Sequence, residues 1–345
     1  MSDPPGDFAS FLKRLAAGEH LTAADSAAAF AAMMAGSISE MRMASFLTAL
    51  AVRGPSIAEI TGAARAMRAA MTSVEAPNGA IDVCGTGGDG AGTLNISTGA
   101  AIVTAAAGVP VAKHGNRAAS SKTGAADVLA ALGVNIEADM SLVKEALWQA
   151  NICFMLAPRH HSAMRHVGPS RVELGTRTIF NLMGPLSNPA AAKFQLVGVF
   201  ARQWIVPLAE VLGRLGTEHA WVVHGSDGLD EITTTGPSHI AELKNGRITQ
   251  FEIVPDMAGL ARAKPADIKG ADAGTNAAAI TEMLAGRHGP FRDIVLLNSA
   301  AALVIAGKAP DLAAGAALAA KAIDSGKAKS TLAELVTITN RATPA

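Results

Sequence analysis

Five glycines fall within eight residues in Cys84-Gly85-Thr86-Gly87-Gly88-Asp89-Gly90-Ala91-Gly92-Thr93, and a helix is expected to begin just beyond, near Asn95-Ile96-Ser97-Thr98. Glycine admits positive φ and close backbone approach, so such a loop can turn its amides toward a ligand, and the helix N-terminus behind it adds partial positive charge. Together they make a phosphate cradle. The spacing lacks the GK[ST] ending of a nucleotide P-loop and is not the GxGxxG dinucleotide fingerprint. After the next expected strand comes Lys113-His114-Gly115-Asn116-Arg117-Ala118-Ala119-Ser120-Ser121. Its cations, amide and hydroxyls suit a pyrophosphate and a ribose ring, and strand ends are where open α/β sheets bind ligands. Alone, KHGNR reads as readily as a solvated turn; beside the glycine loop it reads as a second wall of the same crevice.

Two further segments add complementary chemistry. Asp227-Gly228-Leu229-Asp230-Glu231 follows an expected strand and gathers hard oxygen ligands at one point. Mg²⁺ takes one or two such carboxylates together with substrate phosphate oxygens. The stretch from Arg171 to Pro189, RVELGTRTIFNLMGPLSNP, brings Arg171, whose guanidinium is a bidentate partner for a carboxylate. His114 and His161 are the candidates for a general base, although a lone histidine is more often packed or capping.

These segments need elements to position them. The first 75 or so residues read as helices, Phe8 to Ala17, Leu21 to Met34, Ile38 to Val52 and Ile57 to Val74, with Thr22/Asp25 and Ser56/Glu59 as capping signals. Met33, Met34, Met41 and Met43 read as gap-fillers at a helix interface, and an apolar patch on this unit would suit self-association. Pro77-Asn78-Gly79 breaks the pattern. Beyond it, the apolar runs Ile81 to Cys84, Val109 to Lys113, Ile152 to Ala157 and Trp221 to His224 read as buried strands alternating with helices. His239 to Val254 reads as a hairpin turning at Asn245-Gly246. Ile294 to Leu297 is strand or helix by periodicity alone. The expected fold class is α/β, a mostly parallel sheet flanked by helices, with a smaller all-helical N-terminal domain over residues 1–77 and the α/β domain over 78–345.

Composition narrows the function. Lys plus Arg and Asp plus Glu both number 29, so no net charge draws the chain to nucleic acid or an anionic membrane, and any polyanion must be bound locally. Half of the 345 residues are hydrophobic, enough for a large core and a smaller one. Two cysteines, Cys84 and Cys153, suit a reducing compartment, and the cytoplasm is expected. Met1 to Asp7 is acidic and Pro-rich, unlike a secretory signal, and the apolar run Gly99 to Ala112 is too short to span a bilayer, so neither export nor a membrane span is expected.

Taken in order, the strings GTGGD, NxST, KHGNR, DE and GPLxNP resemble those of the anthranilate phosphoribosyltransferase family, from the helical start to near the end of the chain. The resemblance implies transfer of a phosphoribosyl group from phosphoribosyl pyrophosphate to the amine of anthranilate in tryptophan biosynthesis, with Mg²⁺ as two ions. It implies phosphoribosyl pyrophosphate at Gly85, Gly88, Asp89, Thr93, Asn95, Ile96, Ser97, Thr98, Lys113, His114, Gly115, Asn116, Arg117, Ala118, Ala119, Ser120, Ser121 and Ala125. It implies anthranilate at Gly85, Asn116, His161 and Arg171, metal at Ser97, Asp230 and Glu231, and catalytic parts for Lys113, Asp89 and Asn116. It further implies a homodimer through the helical domain, which part of residues 168–190 would rejoin. The chain departs from the family at Ala125, where a Ser is common, and at His160 and Ser162, where Tyr and Pro are usual, leaving His161 as the matching residue. It contains no Tyr. Rival readings are a pyrimidine nucleoside phosphorylase, which carries a different phosphate loop, and a non-catalytic nucleic-acid-binding relative, which zero net charge disfavours.

Overall fold

The computed structural model describes residues 7–118 and 123–342. Four helices open the chain: α1 (Phe8–Ala16), α2 (Ala23–Met34), α3 (Glu40–Arg53) and α4 (Ile57–Ala69). A helix start leaves amides that no preceding turn can satisfy. The Thr22 hydroxyl accepts from the Asp25 amide at α2, and Ser56 and Glu59 form a full capping box at α4. Glu59 does more: buried, it also accepts from the Leu21 amide (2.9 Å) and pairs with Arg53, tying three helices together. Helix α4 ends at Ala69, short of the expected Val74, whose amide bonds instead to the Pro189 carbonyl (3.0 Å).

The sheet then assembles: β1 (Ile81–Gly85), α5 (Ile96–Ala106), β2 (Val111–Gly115), α6 (Ala125–Ala131), α7 (Met140–Gln149) and β3 (Ile152–Leu156). An excursion follows through α8 (Ala157–His160), α9 (Gly168–Leu174) and α10 (Met183–Leu186), before β4 (Phe194–Gly198), α11 (Ile205–Arg214) and β5 (His219–Gly225). The hairpin β6 (Ser238–Lys244) and β7 (Arg247–Ile253) comes next, then α12 (Ala273–Leu284), α13 (Pro290–Ile305), α14 (Leu312–Asp324) and α15 (Lys327–Thr339). Strand order is β3-β2-β1-β4-β5-β6-β7, parallel from β3 to β5 and antiparallel in the hairpin. Asn245 and Gly246 both take positive φ, 51° and 75°, as the tight turn requires.

Two strands differ from the sequence reading, and the run left open there takes one form. β2 spans Val111–Gly115 rather than Val109 to Lys113, because the Val109 amide closes the preceding helix on Thr104 O (3.3 Å). The run Ile294 to Leu297 is helical, inside α13. Strand β4 has no counterpart in the sequence reading: its buried Gln195 breaks the apolar run, and is satisfied by Pro185 O (2.8 Å) and the Thr217 hydroxyl (3.2 Å).

Two apolar clusters lie on opposite faces of the sheet. One joins Ile81, Val83 and Val111 to α5 and α13; the other joins Val197, Val199 and Val222 to α11 and the N-terminal helices. Into the second, Phe30, Met33, Met43 and Phe46 pack beside Val167, Ile179, Phe180 and Leu186 of the excursion, each large side chain contributing ~1.5–3 kcal/mol when fully buried. Met41, read from sequence as a gap-filler, is instead 81% exposed, with Val52 of the same helix at 84%. Among the described residues, no helix is long and apolar enough to cross a membrane.

Candidate active site

Strand order changes direction at β1, which lies between β2 and β4, and open α/β sheets bind ligands at the carboxyl ends beside such a switch. Gly85 and Gly198 are register partners at that end. A Cβ on Gly198 would overlap the main-chain oxygen of Asp230, and one on Gly85 would overlap its carboxylate. Asp230 therefore lies across the ends of both strands, and only glycine lets it. The loop beyond Gly85 turns through positive φ at Gly87, Gly88, Gly90 and Gly92 (67°, 79°, 71° and 61°).

Acceptors face donors across this gap. Asp230 Oδ2 accepts from the Gly87 amide (2.7 Å), and Glu231 Oε1 accepts from the Ser97 amide (3.2 Å) in the first turn of α5. Burial pushes both carboxyls upward; Asp89 raises Asp230 further, and Asp230 raises Glu231. Lys113, 2% exposed, opposes this on Glu231, and its Nζ donates to Val83 O (2.6 Å) and Ser97 Oγ (3.3 Å). Buried oxygen ligands that repel one another fit a hard dication such as Mg²⁺. Among the described residues no three His, Cys, Asp or Glu side chains form a metal-holding group, so phosphate or water oxygens would complete its shell.

Other residues singled out from sequence lie around this centre. Asp89 Oδ1 accepts from the Ala91 amide (3.1 Å) and shapes the loop. Thr93 forms an isolated antiparallel bridge with Lys269, and Asn95 Oδ1 accepts from Asn276 Nδ2 (2.8 Å). Ile96 and Thr98 are each 1% exposed, so the Ile96 side chain serves the core, while Thr98 Oγ1 is buried without a hydrogen-bond partner. Gly115 ends β2 against the Phe154 ring, and Asn116 Oδ1 accepts from the Arg117 amide (2.8 Å). Arg117 pairs with Asp127 (3.5 Å) and Glu137 (3.4 Å), and the Ala118 amide bonds to Asp127 (3.0 Å). Ala125 opens α6, whereas Ala119, Ser120 and Ser121 lie outside the described residues.

Two of the histidines singled out from sequence, His114 and His161, pack against each other. The imidazoles stand 5.1 Å apart, and both Nε2 atoms are buried without partners. Burial, then each one's neighbouring histidine, pushes His114 down to about 3 and His161 to about 4, so both are neutral and weakly basic. The Gly184 carbonyl at 3.1 Å from His114 Nδ1 places the proton there. Arg171 lies 5.4 Å over the Phe180 ring.

Sequence reasoning passed over several supports. Buried Asp82, its pKa raised by burial, accepts from the His114 amide (3.2 Å) and from Asn188 Nδ2 (2.6 Å), which also donates to Ala112 O (2.8 Å). Arg177 donates to Gly88 O and lies 4.3 Å over the Phe200 ring, bracing the glycine loop from outside. A lone acid inside an apolar strand was the one visible signal for Asp82.

Comparison with known proteins gives a consistent picture. Residues 77–329 match the glycosyl transferase family a/b domain, and residues 9–71 match the helical bundle domain of that family. The chain is 61% identical over 342 residues to the anthranilate phosphoribosyltransferase of Azospirillum brasilense, covering 98% of this chain and 96% of that one. The crystal structure of the Thermus thermophilus anthranilate phosphoribosyltransferase superposes with a TM-score of 0.91 at 43% identity, covering 96% of this chain and 99% of that one. The Saccharomyces cerevisiae enzyme in complex with phosphoribosyl pyrophosphate and Mg superposes with a TM-score of 0.88 at 27% identity, covering 97% and 98%. That yeast enzyme is also solved with 4-fluoroanthranilate.

Proposed function

The chain belongs to the anthranilate phosphoribosyltransferase family, and from that premise we infer that it transfers the phosphoribosyl group of phosphoribosyl pyrophosphate to the amine of anthranilate. The products are N-(5-phosphoribosyl)anthranilate and pyrophosphate, a step of tryptophan biosynthesis. The observation that carries this reading is the facing of amide and ammonium donors by the Asp230–Glu231 carboxylates across the ends of β1 and β4.

In the reaction the amine lone pair forms the new bond to ribose C1 as the bond from C1 to the pyrophosphate oxygen breaks, and the amine proton is then lost. Leaving-group charge is the main obstacle, and preorganised donors lower it. Gly85, Gly88, Asp89, Thr93 and Asn95 through Thr98 would hold phosphoribosyl pyrophosphate, Ile96 through its main chain because its side chain is buried. Lys113 through Ser121 and Ala125 would form the second wall. Lys113 has spent two of its three donors on Val83 and Ser97, which aims the ammonium and leaves one for the leaving pyrophosphate. Asp89 would act by shaping the loop, and Asn116 by holding sugar and amine together. Mg²⁺, as two ions held by Ser97, Asp230 and Glu231, would neutralise the pyrophosphate as it departs. Anthranilate would lie against Gly85, Asn116, His161 and Arg171, its carboxylate on the guanidinium. His161 and His114, neutral, would line this pocket without adding charge.

The exposed Met41 and Val52 on α3 support a homodimer through the helical domain. We place residues 1–77, with part of 168–190, in that domain and 78–345 in the α/β domain, in keeping with the apolar cluster that joins Phe30 to Phe180. The two buried thiols, Cys84 and Cys153, suit the cytoplasm. The test is loss of anthranilate fluorescence on mixing with phosphoribosyl pyrophosphate, with and without Mg²⁺. Loss that needs all three components is expected; no loss under any condition would overturn the reading. Thymidine with phosphate is the control, where release of free base would favour a phosphorylase.

A further inference from the structure

Helix α13 is apolar along most of its length, yet Asn298 lies at its centre with 0% exposure. A buried amide left unpaired costs ~1–3 kcal/mol, so its partners matter. Nδ2 donates to Ile232 O (2.8 Å) and to Ile294 O (2.9 Å), and Oδ1 accepts from the Ile232 amide (3.1 Å). One side chain thus takes both main-chain polar groups of Ile232, the residue directly after Glu231. The same helix also sets the position of α5. A Cβ on Gly99 of α5 would lie 2.9 Å from Val295 of α13, and Ser299 Oγ donates to Ala100 O (3.4 Å). Helix α13 therefore spaces the helix whose Ser97 amide meets Glu231 and the turn that carries Glu231.

The far side of that turn is closed independently. Asp227 Oδ2 accepts from the hydroxyls of Thr233 (2.7 Å) and Thr235 (2.6 Å). Besides the two carboxylates themselves, which meet the Gly87 and Ser97 amides, Asn298 ties the main chain of this turn to α13.

We propose that Asn298 is a positioning residue for the reaction: touching no substrate, it holds Asp230 and Glu231 at the distance from the glycine loop at which a dication and a pyrophosphate are shared. An apolar side chain in its place would fill the space but leave the Ile232 amide and carbonyl unpaired, and the turn would shift to satisfy them. The two walls would then be separately intact and mutually misplaced. The proposal rests on the phosphoribosyl-transfer reading, and its test separates the two.

Calorimetry of phosphoribosyl pyrophosphate binding, in Mg²⁺ and in EDTA, is compared for the wild type, Asn298→Leu and the control Thr339→Val, a buried polar residue of α15 whose hydroxyl donates to Leu335 O and accepts from the Asn135 amide. In the wild type Mg²⁺ strengthens binding. In Asn298→Leu that strengthening falls by at least about tenfold, the scale of losing a group that orients metal ligands, while the affinity in EDTA is unchanged. Thr339→Val keeps the full strengthening even if its Tm falls. If Asn298→Leu shows no cooperative unfolding, Asn298→Ser is measured in its place with the same expectation. Undiminished strengthening in the folded variant, or equal weakening with and without Mg²⁺, overturns the positioning role. A wild type that binds no phosphoribosyl pyrophosphate in either condition overturns the underlying reading instead.

Discussion

The glycine loop and the turn that carries Asp230 and Glu231 face each other across one crevice but are built in opposite ways. The loop runs through four positive-φ glycines and is braced by few side chains, chiefly Asp89 within it and Arg177 from outside. The turn is held by side chains at every step: Asp227 on Thr233 and Thr235, Asn298 on Ile232, and two glycines cleared beneath Asp230. The contrast follows from charge. A wall proposed to bind anions needs main-chain amides to offer, whereas two buried acids that repel each other must be forced into place.

Breaking the acidic wall should cost most. Asp230→Asn/Glu231→Gln is expected to lower kcat by about 1000-fold, the upper range for removing electrostatic stabilisation, and to abolish Mg²⁺ dependence, read by anthranilate fluorescence across a Mg²⁺ titration. Next comes Gly198→Ala, whose Cβ would strike the main chain of Asp230 and could not be relieved by rotating a side chain. Displacing the turn by a fraction of an ångström to an ångström should cost about 100-fold in kcat/KM. Gly90→Ala sharpens the comparison: nothing lies within 4 Å of its Cβ, so only the positive φ penalises it, by about 1 kcal/mol in stability and little in rate. Equal effects from the two glycines would erase the distinction between the walls.

Arg171 should separate binding from chemistry. Arg171→Ala is expected to raise the anthranilate KM about tenfold with kcat nearly kept, the signature of lost uniform binding. His114 and His161 give a pH signature. Burial depresses both, so below pH 6.5 the unfolded chain binds protons that the folded chain refuses until about pH 4 and 3. Stability is therefore fully present above 6.5 and falls as pH drops through that window. His161→Gln should flatten the decline in Tm between pH 6.5 and 4; an unchanged slope would mean that this imidazole is protonated in the fold. The smallest effect lies farthest off. Ser56→Ala opens the capping box of α4 and should cost about 1 kcal/mol in urea unfolding without altering kcat.

What the sequence disclosed was local. Thr22/Asp25, Ser56/Glu59 and Asn245-Gly246 are short-range devices whose partners lie within three residues, and each forms as read. The glycine loop, Lys113 and the Asp230–Glu231 pair were visible because unusual residue types cluster at strand ends. β4 was hidden because Gln195 is polar for reasons that lie in Pro185 and Thr217. Asn298 and Asp82 were hidden likewise: a polar residue amid apolar ones gains meaning only from partners dozens of residues away. Gly198 carried no signal of its own, because its meaning comes from Asp230 folding over it.

The most direct measurement is a crystal soaked with phosphoribosyl pyrophosphate and Mn²⁺, located by anomalous scattering. The expected result is Mn²⁺ bound by Asp230 or Glu231 and by pyrophosphate oxygens, with the phosphates on the amides of the glycine loop and beside Lys113. Sugar phosphate bound away from the ends of β1 and β4, or Mn²⁺ remote from both carboxylates, would contradict it.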